Sequence, residues 1–463
     1  MALWQPVTAK SKPVITNFSA GLNLSVPSLA VGDNELIESV NMCSDDMPAI
    51  RTRNDRATYI GTGLTKVNGM GKRNDEQLHV VDGNTWKYRN STGGWNVLTT
   101  TLSDTEARFA EFSREVDKFT IMWNSTQMKM WDGNTTATDF TCIEVPATRF
   151  VIAHNLRLFA LDGNVLRYSA ALLHDDWHTI LDSGYAVLVN AQGAGKGIIS
   201  YADHVIVFFE NSIHELHGGE PSNFTPIDIT LATGCVSDKT IAEVKGRLFF
   251  LARDGVYVYT GSVPRKISGK VDKLIQGINK DYEHLCCAGV REAKYYLSIP
   301  YKATSLNMVL VYDMDKDVWH TETGGFRFYS NIDKVLYGAT SNAIVNMATT
   351  SKTGYDDTSA ISWHFETKPY NDMSAASQHT VNQMYSLTEG CTDATMQVDY
   401  STNVYSTSFS SLIASTEMTV EPRRKKTYFH TNKLQDVYNY RLKFSGTGQA
   451  KLHLIQKNMR TRR

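Results

Sequence analysis

The sequence predicts an all-β chain: a β-propeller of six or seven blade-like hairpin units, a smaller C-terminal β domain and a few short helices. Three observations carry this prediction. A short hairpin is spelled repeatedly along the chain, its copies start at a near-constant spacing, and the rhythm stops near residue 351.

The hairpin is plainest in RLFFLARDGVYVYTG, residues 247–261, where two apolar runs flank a break containing Asp254-Gly255. RLFALDGNVLRYSA, residues 157–170, repeats it around Asp162-Gly163-Asn164. Further copies begin at Leu78, Phe119, Val205, Tyr296 and Val335, so that successive starts lie 39 to 48 residues apart. Recurrence at about 40–45 residues is the period of propeller blades, small sheets that bury their faces by packing radially. Gly accepts positive φ, and Asn or Asp tolerates it, which suits these residues to the turns. Unbroken apolar runs such as Val205 to Phe209 suit strands buried on both faces.

Other segments break the pattern. VGDNELIESVNM, residues 31–42, predicts one or two turns of helix, capped by Asp33 or Asn34 with Glu35 and Glu38 near its positive end. ISGKVDKLIQGINKDYEHL, residues 267–285, predicts the clearest helix, with Ser268 as cap and Val271, Leu274, Ile275, Ile278 and Tyr282 on one face. From about Ile361 the strands alternate instead, as in ATMQVDY, YNYRLKFSG and AKLHLIQKNM, the pattern of sheets with one wet face. The expected division is an N-terminal arm with a short helix over 1–60, a propeller over 61–350 and a C-terminal β domain over 351–463.

Composition narrows the function classes. Hydrophobic residues make up 42% and charged residues 21%, as in a globular chain. With 47 basic and 48 acidic residues, no global field draws nucleic acid or an acidic membrane. No run approaches a membrane span, and the N-terminus lacks a signal-peptide pattern, so the chain is expected to stay where it is made. Six scattered cysteines without CxxC spacing read as small buried thiols.

Candidate chemistry thins out on inspection. AQGAGKGI, residues 191–198, imitates a phosphate loop. Asn190 stands where the first glycine belongs, and Gly197 where Ser or Thr would hold magnesium, so it reads as a flexible approach to the strand at Val205. LLHDDWH, residues 172–178, gathers His174, Asp175, Asp176 and His178, which could bind a metal or do acid–base work. Without a partnered ligand pair it reads as a polar loop anchored by Trp177. EPRRKK, residues 421–426, and the terminal MRTRR, residues 459–463, read as solvated loops or tails, or as local contacts to nucleic acid or an acidic subunit. No catalytic residue, cofactor or metal ligand is assigned, and the chain is expected not to be an enzyme.

The order of features near the N-terminus carries a resemblance. NFSAGLN, residues 17–23, precedes DNELIESVNM, residues 33–42, and PAIRTRND, residues 48–55. This resembles the N-terminal signature of tail proteins from short-tailed bacteriophages, an arm of Phe-x-Gly-Gly-Leu-Asn type followed by a helix and an Arg-x-Arg segment. Ala20 replaces one usual glycine. Residues 155–179, GCVSDKTIAEVKGRLFFLARDGVYVYTG at 234–261, and VYDMDKDVW at 311–319 are similar to later hairpins of that family.

The resemblance implies a tail nozzle or hub subunit of the virion, assembled in the host cytoplasm. It implies a homo-oligomeric ring, usually of six copies, below the portal and adaptor proteins. Such a ring carries tail fibres or receptor-binding parts, extends and gates the DNA channel, and does not insert into membrane. Asn17, Phe18, Gly21, Leu22 and Asn23 are the interface residues expected on this basis, as a flexible arm that adds a strand to a neighbour. The alternatives are a receptor- or carbohydrate-binding propeller and, further off, a glycan depolymerase using Asp175 and Asp176.

Overall fold

A computed structural model describes residues 14–462, apart from 115–116, 135, 137, 140–144, 179–181, 348, 372–377 and 419–423. The chain forms two compact units: Thr58–Val309 with Gly324–Met347, and Met1–Ala57 with Leu310–Thr323 and Ala348–Arg463. This differs from the expected three-part division, because the N-terminal segment shares a unit with the C-terminal one.

The first unit is a β-propeller with seven blades among the described residues. Blades 1 to 5 are antiparallel four-stranded sheets starting at Val67–Arg73, Arg108–Arg114, Val151–His154, Gly195–Tyr201 and Ala242–Val244. Blade 6 contributes the hairpin Cys287–Arg291 and Lys294–Ile299. Blade 7 runs Phe328–Ile332, Val335–Ala339 and Ile344–Asn346, and takes Ala57–Ile60 as its outermost strand, which closes the circle with an early piece of chain. Each of the seven hairpins read from the sequence begins on the second strand of a blade.

Apolar side chains fill the gaps between neighbouring blades from blade 7 through blade 1 to blade 5. Phe208 and Ile206 of blade 4, for example, pack on Phe250 and Leu248 of blade 5. Each such fully buried side chain contributes about 1.5–3 kcal/mol. Phe249 stacks on Tyr295 at 5.5 Å between blades 5 and 6, and Ser298 meets the Tyr329 hydroxyl at 2.8 Å between blades 6 and 7.

The turns obey backbone sterics. Gly163 takes φ +62° at the tip of its hairpin. Gly255, in the plainest repeat, does not turn the chain. A Cβ there would lie 2.3 Å from the Lys266 side chain, so close approach accounts for that glycine. On the first hairpin of blades 3, 4, 5 and 7, two-residue turns place both residues at positive φ: Asn155-Leu156, Ala202-Asp203, Lys245-Gly246 and Asp333-Lys334. These are type I′ turns, whose twist matches the strands.

At the hub, the leading ends of three blades meet through charge. Arg108 of blade 2 grips Asp238, just ahead of blade 5, with two hydrogen bonds of 2.5 and 3.0 Å. Blades 2 and 5 are not neighbours, so this pair crosses the axis. Glu106 accepts from Arg108 at 3.1 Å and from Lys239 at 3.0 Å. Arg108, Lys239 and Arg327 all lie within 6 Å of the Phe328 ring of blade 7. Burial would raise the Glu106 carboxyl, but the charges of Lys239 and Arg108 outweigh it and hold it at about 2.

The other unit is built from two sheets. One runs Met42–Cys43, Ile50–Thr52, Ala450–Arg462, Gln378–Gly390, Lys425–Tyr428, with Val14–Thr16 also paired to Ala450–Arg462. The second contains Val318–Thr323, Leu36–Val40, Ser362–Thr367, Arg441–Thr447, Thr395–Ser401 and Ser410–Glu417 in that order. Phe365 stacks on Phe444 at 4.9 Å, and Phe18 and Phe429 close around them.

Several expectations are corrected. Residues 31–42 hold no helix: Leu36–Val40 is a strand, paired in parallel with Val318–Thr323 and antiparallel with Ser362–Thr367. Glu35 folds back onto the Gly32 N–H and the Asn23 amide instead of leading a helix. Residues 267–285 form a single short α-turn, Asp272–Gln276, between two 3-10 segments, because Gly277 ends it. The glycine-rich AQGAGKGI is no loose approach. Gly195–Tyr201 is the inner strand of blade 4, and a Cβ on Gly197 would strike Ile241 at 2.6 Å. The terminal basic run is a strand out to Arg462 rather than a tail. Of EPRRKK, residues 421–423 lie outside the described residues, and Lys425 and Lys426 are in a strand.

Two outcomes test this account. Glu106 sits below its ordinary value of 4.5, so its stabilisation is present above that pH and is lost as pH falls towards 2. Glu106→Gln should flatten the acid limb of denaturant-midpoint-versus-pH measurements, removing about 3 kcal/mol of pH-dependent stability. A left-handed Leu costs about 1–2 kcal/mol, and Leu156 sits at φ +65°. Leu156→Gly should therefore raise the propeller's unfolding midpoint, read by calorimetry, by an amount equivalent to about 1 kcal/mol.

Candidate metal centre

The residues singled out in the sequence do not converge on chemistry. His174 is 3% exposed, with its ring 4.7 Å from Phe119 and Nε2 2.8 Å from the Met130 sulfur. Burial lowers its pKa, which keeps it neutral among blade 2 and 3 side chains. Trp177 is buried beside it and donates to the His174 carbonyl, while His178 faces Asp176 at 3.4 Å. The loop is anchored by Trp177, and the Asp175 charge acts on the His174 ring without outweighing its burial.

The segment Asn17–Asn23 is not a free arm. Phe18 is 1% exposed in the aromatic core of its unit, and Leu22 is 2% exposed. Gly21 turns at φ +71° where a Cβ would lie 2.7 Å from the Trp319 carbonyl, to which the Leu22 N–H donates. Asn23 holds Glu35 at 2.7 Å, and Asn17 caps the Ser19 N–H. A tether that leaves its own unit would have to pull Phe18 and Leu22 out of that core, so the flexible-arm premise does not fit.

Two perturbed clusters were invisible in the sequence. In the two-sheet unit, Glu38 is held at about 2, first by its hydrogen bond with His364, while burial and the Glu38 charge raise Glu366. Lys443 and Arg441 complete the row across adjacent strands. Opposed carboxyl shifts can mark an acid–base pair, but here the charges tie neighbouring strands on a sheet face.

In blade 4, Ser212 Oγ lies 2.9 Å from His214 Nε2, and His214 Nδ1 lies 2.7 Å from Asp228 Oδ1. That order of groups is a nucleophile–base–orienter relay in outline. Ser212 and His214 are 0% and 1% exposed, and Ser212 Oγ accepts the Gln192 N–H, so no substrate reaches the hydroxyl. The relay fastens the incoming chain to the blade. Burial likewise pushes the Cys235 and Cys287 thiols up to about 12, far from nucleophilic thiolates.

The opposite face of the same strand carries a different set. His204 begins the second strand of blade 4, directly after the Ala202-Asp203 turn, and Glu215 and His217 lie two apart on the third. The register that pairs Val205 with Leu216 puts His204 opposite His217. Their rings stack at 4.0 Å. His204 Nδ1 is 2.9 Å from Glu215 Oε1, and His217 Nε2 is 3.2 Å from Glu215 Oε2. The Tyr259 hydroxyl of blade 5 donates to Glu215 Oε2 at 3.0 Å. Burial, then the Glu215 charge, raises the Tyr259 pKa, so the phenol keeps its proton. Donor atoms of the three residues lie within 4.8 Å of one another, the one such group among the described residues. Two imidazoles and a carboxylate are a donor set for borderline divalent ions.

No protein-family model and no curated protein matches the sequence. Solved structures are similar to it. A streptogramin B lyase is 9% identical, with 63% of this chain and 96% of that chain covered and a TM-score of 0.45. Virginiamycin B lyase from Staphylococcus aureus is 10% identical, covering 63% and 98%, with a TM-score of 0.45. The extracellular domain of the BT4673 hybrid two-component system from B. thetaiotaomicron is 8% identical, covering 88% and 63%, with a TM-score of 0.48. At these identities and TM-scores the likeness carries no statement about function, and it is the ring of blades itself that makes the chain a β-propeller protein.

Proposed function

We propose that this chain is a structural subunit, a tail nozzle or hub protein of a short-tailed bacteriophage, whose copies assemble into a ring around the DNA exit path. In this reading it performs no chemistry. It meets portal and adaptor proteins above, carries fibres or receptor-binding parts, and lets genomic DNA pass without gripping it. The phage assignment rests on the sequence resemblance of residues 17–23, 33–42, 48–55 and the later hairpins.

The observation that carries the assembly reading is an apolar rim on the propeller. Tyr185 and Val187, on the outer strand of blade 3, are 66% and 43% exposed; Val189 just beyond is 83% exposed, and Ile227 on the outer strand of blade 4 is 44% exposed. Asn190 ties the two edges together through Asp228 at 2.6 Å. Apolar side chains gathered on open sheet edges favour association. A second copy of the chain is the partner proposed for this rim. DNA would run through the opening that the copies enclose, since the propeller's own axis is bridged by Arg108 and Asp238.

Negative-stain imaging of the purified chain with portal-bearing particles tests the reading, with a ring at the portal vertex as the expected result. Tyr185→Asp combined with Val189→Asp should abolish rings while leaving the circular dichroism unchanged. Absence of any assembly from the unmodified chain, alone or with portal particles, would overturn the proposal.

A further inference from the structure

We infer that His204, Glu215 and His217 form a binding site for a borderline divalent cation of the zinc class, at the turn end of blade 4, independent of the assembly reading. The Glu215 carboxylate is largely buried, and its partners at ion-pair distance are two imidazoles, which carry full charge only when protonated. A buried carboxylate calls for a cation.

The geometry is close to what an ion needs. Two metal–ligand bonds of 2.0–2.1 Å at a tetrahedral angle separate donor atoms by about 3.3 Å. The carboxylate oxygens already stand 2.9 and 3.2 Å from the facing ring nitrogens. A slight opening of exposed side chains admits the ion. His204 and His217 are 33% and 38% exposed at the side chain, so they can move and leave a coordination position open to water. Glu215, at 11%, is fixed from behind by the Tyr259 hydroxyl, the outer support that ligating carboxylates commonly have. Nitrogen donors select against calcium and magnesium.

Binding moves protons in a defined way. Each imidazole must offer the lone pair of the nitrogen that faces Glu215. A neutral ring therefore keeps its proton on the other nitrogen, and an imidazolium releases one to solvent. Binding is therefore coupled to proton release.

The test uses the full chain, freed of metal by a chelator and titrated with zinc chloride in a calorimeter. One ion per chain is expected, together with visible bands of low-coordinate cobalt(II) when cobalt replaces zinc, and a zinc-dependent rise in the unfolding midpoint. His217→Ala and, separately, His204→Asn should remove the saturable step. Tyr259→Phe should weaken binding about 10-fold without abolishing it. Because both histidines are surface-accessible, their variants remain folded controls even if Glu215→Gln does not. Absence of a saturable step, or a step unaltered by both histidine substitutions, would overturn the inference. Neither result bears on ring formation.

Discussion

The pair between Arg108 and Asp238 fixes the geometry on which the propeller depends. Seven sheets that converge on an axis crowd their inner strands, and the same convergence leaves the leading ends of those strands facing a narrow hole. Apolar packing between neighbours fills the gaps around the circle, but it says nothing about the separation of blades across it. A bidentate guanidinium–carboxylate contact between blades 2 and 5 does, because both partners are rigid and planar. Glu106, Lys239, Arg327 and the Phe328 ring supply the remaining charges and the cover. Three cations meet two carboxylates there, so the anions stay ionised although they are largely out of water. Replacing one member would leave a partner exposed to the full cost of burial, which runs to about 3–5 kcal/mol for a broken buried pair.

Closing the circle also explains where the chain's ends go. The outermost strand of blade 7 comes from Ala57–Ile60, ahead of blade 1 in sequence. The described residues before it, from Val14 on, are built into the other unit. Phe18 and Leu22 build the core of the other unit beside Phe365 and Phe444, and Leu36–Val40 becomes a strand of its sheet. A segment that looks like an arm because it is polar, short and glycine-bearing is held by two buried apolar side chains and a backbone bond to Trp319. Residues 17–23 are thus part of the folded core of their unit rather than a free arm.

The propeller was legible because its signal is local. Apolar runs of about five residues and a polar break with Gly, Asn or Asp lie within single hairpins, and these recur every 39 to 48 residues. What escaped notice lies between segments. Residues 31–42 fit a helix as well as a strand, since Leu36 and Val40 are four apart and Leu36 and Glu38 two apart; the outcome is set by Ser362–Thr367, some 320 residues on, which offers an edge. Arg108 and Asp238 are ordinary surface residues until the circle closes. The candidate site has the same character. HELH at 214–217 stands in plain sight, yet His204 joins it only through the antiparallel register.

That short strand shows why spacing alone could not have separated a site from a fastening. Alternation sends His214 to one face, where it meets Ser212 and Asp228, and sends Glu215 and His217 to the other, where they meet His204 and Tyr259. Judged by composition, the first set is the more suggestive, since it lines up a hydroxyl, an imidazole and a carboxylate at hydrogen-bond distances. Judged by access, its hydroxyl and imidazole are sealed, only Asp228 reaches the surface, and Ser212 and His214 are already hydrogen-bonded. The second set has the less familiar make-up but keeps two rings in contact with water around a carboxylate that is not. Chemistry requires a group that is both positioned and unspent, and on this strand only the face turned towards blade 5 meets both conditions.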